Sequence, residues 1–403
     1  MPELDLYLDH SKYHPHHCQH KVLLGKTPNK GPSTMEPFST WLEIDLSAIR
    51  SNIQQIGAIT GRPVMAVIKA NGYGHGLIEA GRAGQAGGAA WLGVARVEEA
   101  IWLRKAGITT PILVLGFSAP ERVAEAIAND VTLALPNHEL AKAFAAQAGA
   151  LGQSLRVHAK FDTGMGRLGV FPEDGLEFAR LIHSMPELRM EGMFTHFASA
   201  DDPVIATTDW QLDRFTRLVE ALSAAGLRPP LVHAANSAAS LYFPRARFDM
   251  VRAGIAIYGL HPSPDALLPA GFRTALTWKT QLASVKDLPA NHGIGYNHRY
   301  VTTQPERIGV IPVGYADGFR RRLGNFAIVG GKRVPVAGGV CMDQCMLQLD
   351  SVPEAKIGDE VVLIGRQGEA VITAEEVGQA WNTVNYDVVC GLTARVPRFY
   401  TGD

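Results

Sequence analysis

The chain has 403 residues, with 38 Lys plus Arg against 39 Asp plus Glu, 46% hydrophobic and 19% charged. That length suggests two or three domains, and the composition excludes bulk disorder. The even charge excludes a nucleic-acid binder acting through bulk basic charge, and no apolar run approaches the roughly 18 residues of a membrane span.

Residues 1–40 carry five of the 14 histidines (His10, His14, His16, His17 and His20) and Cys18, with neither helical nor strand periodicity. They read as an unstructured leader rather than a metal-binding tail, because Pro15 breaks any helix that would align ligands. Met35 is an alternative start. No apolar signal core is visible, and Cys18, Cys341, Cys345 and Cys390 form no C-x-x-C pair. A cytoplasmic location is expected.

From residue 60, apolar runs alternate with helical patterns. Strands are predicted at 63–69, 91–95, 111–116, 131–136, 155–162, 188–197, 231–236 and 248–254. Helices are predicted between most of them, clearest at 77–87, 97–106, 138–150 and 210–225. Eight such units predict an α/β fold, a (β/α)8 TIM-type barrel over 41–270, rather than an open doubly wound sheet. A proline-rich loop follows at 261–271. Short alternating runs with Gly and Asn turns then predict an all-β domain over 271–403, with one helix near 375–382.

In such barrels the chemistry sits at the C-terminal ends of the strands. The predicted ends present Lys69, then Asn71, Tyr73 and His75. Next come Lys160 with Asp162, Thr163 and Arg167, then His196. The last two present His233, Asn236 and Ser237, and Arg252 with Gly254 and Ile255. The set is rich in cations and hydroxyls and poor in carboxylates. Hard-metal sites need several Asp or Glu, so no metal is expected. Glycosidase chemistry needs two facing carboxylates, which are missing. Ser237, Gly254 and backbone N–H groups after strands 7 and 8 sit where barrels usually hold phosphate. A lysine at the end of strand 1, opposite that position, suits condensation with a phosphorylated aldehyde, and pyridoxal 5′-phosphate fits.

Several motifs carry a family resemblance. AVIKANGYGHG (66–76) resembles the cofactor-lysine motif of alanine racemases. WLEIDLSAIRSNI (41–53), KFDTGMGRLG (160–169), THFASAD (195–201), HAANSAAS (233–240) and VRAGIAIYGL (251–260) resemble further blocks of that family in order. So do GYADG (314–318), GGVCMDQ (338–344) and VNYDVVC (384–390). The resemblance covers about residues 41–400 and leaves the leader outside.

It implies a barrel-type pyridoxal phosphate enzyme with a C-terminal β domain and a homodimer sharing its sites across the interface. Lys69 would bind the cofactor aldehyde and act as one base. Tyr296, in GIGYNHRY, would be the opposing base from the partner subunit, although Gly295 and Asn297 depart from the commoner Ser-Tyr-Gly context. Arg252 would face the pyridine nitrogen. Arg167 would hold the phenolic oxygen and the substrate carboxylate, joined by the backbone N–H of Met342. Tyr73, Ser237, Gly254, Ile255 and Tyr386 would hold the phosphate, and His196 would support the ring. Lys160 occupies a position often carbamylated in the family, and Tyr315 resembles an entrance gate.

The chemistry is consistent with these roles. Two bases on opposite faces can remove and return a Cα proton with little substrate motion. A tyrosine, ordinarily near pKa 10, needs cationic neighbours to act near neutrality. Arg252 and His196 are the candidates for that field. The implied activity is interconversion of L- and D-alanine, with D-alanine going to peptidoglycan. The alternatives are a racemase of serine or basic amino acids, a decarboxylase of the same fold type, and a non-enzymatic cofactor-binding protein.

Overall fold

The computed structural model describes residues 38–202 and 206–402, so the leader expected over 1–40 lies outside the described residues up to Pro37. β1 (Thr40–Asp45) precedes eight parallel strands. These are β2 (Val64–Val67), β3 (Trp91–Val94), β4 (Ile112–Val114) and β5 (Val131–Leu135). β6 (Leu155–Lys160), β7 (Leu188–Phe194), β8 (Leu231–His233) and β9 (Val251–Ala253) complete the set. They pair in the order β8-β7-β6-β5-β4-β3-β2-β9. At the seam, Asp249 N–H donates to Val232 O (3.0 Å) and Arg252 N–H to Ala235 O (2.9 Å), which brings the barrel to closure.

The strands read as continuous apolar runs because both faces are covered. VMAV in β2 and VTLAL in β5 are buried at every position. Outer helices begin where the sequence supplies caps. Asn137 accepts from Leu140 N–H at the start of His138–Ala150, the span expected from the pattern. Asp45 caps Leu46–Thr60 through Ala48 N–H, and that helix ends at Gly61 in the left-handed region.

β1 does not join the barrel. It runs antiparallel to β10 (Leu276–Gln281) and parallel to Arg398–Thr401, in a ten-stranded sheet of the C-terminal half. Its alternating burial, with Leu42 and Ile44 inward, is that of a strand covered on one face. Buried Asn52 pins the junction. Its amide donates to Ile257 O and Arg273 O, and its oxygen accepts from Arg273 N–H.

The expected β-domain helix is Ala374–Ala380, capped by Thr373. A second, Asn385–Cys390, was not foreseen, because six residues give too little periodicity to read. It carries Tyr386 back to the barrel. No helix among the described residues is long and apolar enough to cross a membrane.

Candidate active site

A cavity of about 520 Å³ opens at the C-terminal ends of the strands. It is lined by Lys69, Tyr73, Lys160, Arg167, His196 and Ser237, and equally by Arg252, Gly254, Ile255 and Tyr386. Ten residues expected to serve the cofactor or substrate therefore meet in one place, whereas the strand-end residues Asn71, His75, Asp162, Thr163 and His233 do not line the cavity.

Lys69 leaves β2 on an unusual turn. Ala70, Asn71, Gly72 and Tyr73 all have φ between 51° and 62°, one turn of left-handed helix. Each non-glycine residue there costs roughly 1–2 kcal/mol. The surroundings hold the turn. Gly72 N–H donates to Ile68 O, Gly74 N–H to Ala70 O, and the Asn71 side chain accepts from Leu77 N–H. The buried Glu99 carboxylate accepts from Ala70 N–H at 2.7 Å and from Ala95 and Arg96 N–H. Glu99 escaped the sequence reading. The signal was its position as the third residue of a helix with Arg96 at the N-cap, a capping-box spacing. Burial lowers the Lys69 amine, Arg167 lowers it further, and Cys390 and Glu99 oppose them.

Arg252 is the most confined cation, at 4% exposure. Its guanidinium donates to the carbonyls of His233, Thr195 and Ala234 at 2.9–3.0 Å. It also donates to Nδ1 of His233 (3.1 Å) and Nδ1 of His196 (3.3 Å). Burial pulls it down to about 9, which leaves it charged at neutral pH. His196 behaves otherwise. Burial, then Arg252, holds it well below the usual histidine range, so the neutral ring carries its proton on Nε2. Of the pair expected to supply positive charge, only Arg252 does so.

Lys160 ends β6 with its ammonium 4.6 Å from the centre of the Phe194 ring. Burial, with Arg252 and Arg167 nearby, pushes it down to about 7, so near neutrality much of it is free amine. Arg167 is placed by an acidic nest. Asp162 accepts from the N–H groups of Gly164, Met165, Gly166 and Arg167. Burial alone would raise that carboxyl, but the four donors outweigh it and hold it low.

At the opposite side hydroxyls gather. Ser237 Oγ accepts from Gly254 N–H (2.9 Å), and the Tyr73 and Tyr386 rings lie 6.2 Å apart. A Cβ on Gly254 would come within 2.5 Å of the Tyr73 hydroxyl, so glycine is required for this approach. Hydroxyls and backbone N–H on one side, with a buried cation and a lysine on the other, fit a phosphorylated aromatic aldehyde in size and donor chemistry. Cys390 also lines the cavity, and burial pushes its thiol up to about 11.

The remaining expected residues lie elsewhere in the chain. Tyr296 sits on a short helical turn between the paired strands Gly293–Ile294 and Tyr300–Val301, 68% exposed. Gly295 (φ 67°) and Asn297 (φ 60°) flank it in the left-handed region, a conformation both residue types tolerate. Met342 shares a surface cleft with Tyr296 and is 53% exposed. Tyr315 is zipped to the same loop, its N–H donating to Cys341 O. The structure thus forms two groups, ten residues in the mouth and three on the β-domain face.

The alanine racemase N-terminal domain profile matches residues 44–262, and the C-terminal domain profile matches 275–400. An alanine racemase of Symbiobacterium thermophilum is 47% identical over 371 residues, covering 90% of this chain and 97% of that one. One from Desulfovibrio desulfuricans is 43% identical over 364 residues, covering 89% and 97%. The alanine racemase of a D-cycloserine-producing Streptomyces lavendulae superimposes with TM-score 0.88 at 38% identity, covering 92% and 98%. The Bacillus anthracis structure with bound L-Ala-P gives 0.86 at 39%, covering 91% and 97%.

Proposed function

Because the chain belongs to the alanine racemase family and so interconverts L- and D-alanine, we propose that it does so on pyridoxal 5′-phosphate held at the barrel mouth. The observation that carries this reading is the convergence of Lys69, Arg252 and the Ser237–Gly254 cradle in one cavity. Bound there, the cofactor would draw electron density from the substrate Cα and acidify its proton.

Each role follows from the surroundings. Lys69 would tether the cofactor aldehyde, and its free amine would take or return the substrate Cα proton on its own face. Its lowered basicity favours the free amine a base must be. Arg252, a cation held by three carbonyls, would serve the ring nitrogen. Tyr73, Ser237, Tyr386 and the backbone of Gly254 and Ile255 receive the phosphate. Arg167 would bind the phenolic oxygen and the substrate carboxylate. Lys160, with much of its amine uncharged, is suited to combine with carbon dioxide, releasing a proton and leaving a carbamate between Arg167 and Arg252.

Tyr296 serves as the second base, Met342 N–H as a further carboxylate donor and Tyr315 as a gate. All three come from the partner subunit of a homodimer. Their exposure supports this, since Tyr296 and Met342 border one open cleft that a second subunit can cover. The protein acts in the cytoplasm, with its D-alanine serving peptidoglycan.

A racemisation assay with alanine, serine and lysine, with an absorbance spectrum of the purified protein, tests the reading. Alanine is expected to have the highest kcat/KM, alongside a visible cofactor band. A preference for lysine overturns the substrate, and a colourless active enzyme overturns the cofactor.

A further inference from the structure

A guanidinium carries only N–H donors, so every polar atom it bonds must accept. Arg252 donates to His233 Nδ1 at 3.1 Å. His233 must therefore keep its proton on Nε2. That proton has one acceptor in reach, His158 Nδ1 at 2.8 Å. The proton of His158 must then sit on its own Nε2. That nitrogen is fully buried without a hydrogen-bond partner, and Glu191 Oε2 lies 4.0 Å away. Burial pushes His158 down to about 3 and lowers His233 as well, so both rings are neutral and the assignment is unique.

The fold makes room for this line. A Cβ on Gly192 would come within 2.6 Å of the His158 ring, so only glycine lets the imidazole lie there. The β6–β7 register shifts between Val157 and His158, pairing them with Met190 and Gly192 and leaving Glu191 as the extra residue of a bulge. Phe194 stacks flat on His233, with centroids 5.0 Å apart. Glu191 accepts from Thr132 Oγ1 at 3.2 Å, which steadies it.

We infer that Glu191, His158 and His233 form a positioning relay through the barrel, in which the charge of the carboxylate, 4.0 Å from the buried His158 Nε2–H, favours the tautomers that let His233 offer a lone pair to Arg252. No proton travels along it. Its effect is orientation. With the other tautomer, His233 would set an N–H against the guanidinium N–H groups, and Arg252 would lose one of the contacts that orient it. Only the consequence for turnover rests on the proposed function, and the relay itself rests on the four side chains.

The test is ¹⁵N-histidine correlation spectroscopy on the full-length protein, wild type against Glu191→Gln. Signals are assigned with His158→Gln and His233→Gln. Both histidines are expected to be neutral with the proton on Nε2, and Glu191→Gln should shift the ring signals of both. A proton on Nδ1 of His233, or a His233 signal unmoved by Glu191→Gln, overturns the relay. Glu191→Gln should also lower kcat about five- to tenfold with KM for alanine within about twofold, since substrate contacts are kept. An unchanged kcat overturns the positioning role. The ring signals need no bound cofactor, so a protein lacking the visible band would refute the cofactor reading while the spectra still decide the relay.

Discussion

Arg252 at the barrel mouth is 4% exposed, while Tyr296 on the β domain is 68% exposed, although both are proposed to serve one substrate. The mouth residues are fixed by their own chain. Arg252 has carbonyl acceptors, Asp162 fixes the loop before Arg167, and Glu99 clamps the turn after Lys69. Tyr296 and Met342 border an open cleft that Gly295, Cys341, Asp343, Gln344 and Met346 complete. On the proposed roles, the difference teaches that one chain would carry a complete holding site and an incomplete reacting site. Binding would then be a property of the fold, and racemisation would need a second surface.

The largest expected effect falls on the complete half. Lys69→Ala should lower racemisation by about 10⁴-fold or more and abolish the visible cofactor band. A retained band would break the assignment of the tether. Tyr296→Ala comes next, at about 10²- to 10⁴-fold in kcat. Because Tyr296 stands outside the holding site, that band should survive. Proton abstraction from L-alanine should fall far more than from D-alanine, and equal losses would make the tyrosine a gate.

Mixing separates the two halves directly. If the site is shared, co-refolded Lys69→Ala and Tyr296→Ala proteins form mixed dimers in which one site of two is intact. Half of the dimers are mixed, so activity should return to about a quarter of wild type. No recovery above the single variants would place both bases in one chain.

The mouth was the more legible half. Lys69, Lys160, Arg167 and Arg252 could be read as strand-end cations because a barrel puts such ends in one plane. The barrel strands were foreseen, each too long by one to four residues, because apolar residues such as Ile68, Leu115, Phe161, Phe197 and Ala234 continue past the paired segments into the loops. Glu99 was hidden because a glutamate near a helix start looks like an ordinary cap. His158 was hidden because, mid-strand, it resembles a packing residue, and only the Gly192 gap and the His233 contact give it meaning. For Tyr296 the resemblance supplied the residue. The hairpin that explains its flanking Gly295 and Asn297 rests on backbone angles that no pattern of hydrophobicity encodes.

Glu99→Gln should sharpen the account of what holds the mouth. The amide keeps one acceptor oxygen but presents an NH₂ group to a backbone N–H. Loss of a charged acceptor costs about 1.5–3 kcal/mol in stability. We expect a comparable destabilisation in urea, faster loss of the cofactor band on dilution, and kcat reduced about tenfold as the turn carrying Lys69 relaxes. A variant that loses stability but keeps full kcat would confine Glu99 to folding.

The smallest effect on turnover concerns acid. His75 is fully buried beneath the same turn, with Nδ1 on the carbonyls of Gly72 and Tyr73 and its ring 4.2 Å from that of Tyr258. Burial pushes it down to about 4 from an ordinary 6.5. The unfolded chain binds a proton below about pH 6.5, and the folded chain only below about 4. Between those values the unfolded state holds more protons, so stability falls as pH falls. The loss from this one group is complete below about pH 4 and comes to about 3 kcal/mol. His158, also lowered, adds in the same direction. Replacing His75 with Asn, which keeps a polar atom near Nδ1, should flatten the decline in urea-unfolding free energy between about pH 6.5 and 4.5 without removing it. Parallel curves for variant and wild type would mean that His75 titrates normally and that acid does not act through the buried side of the mouth.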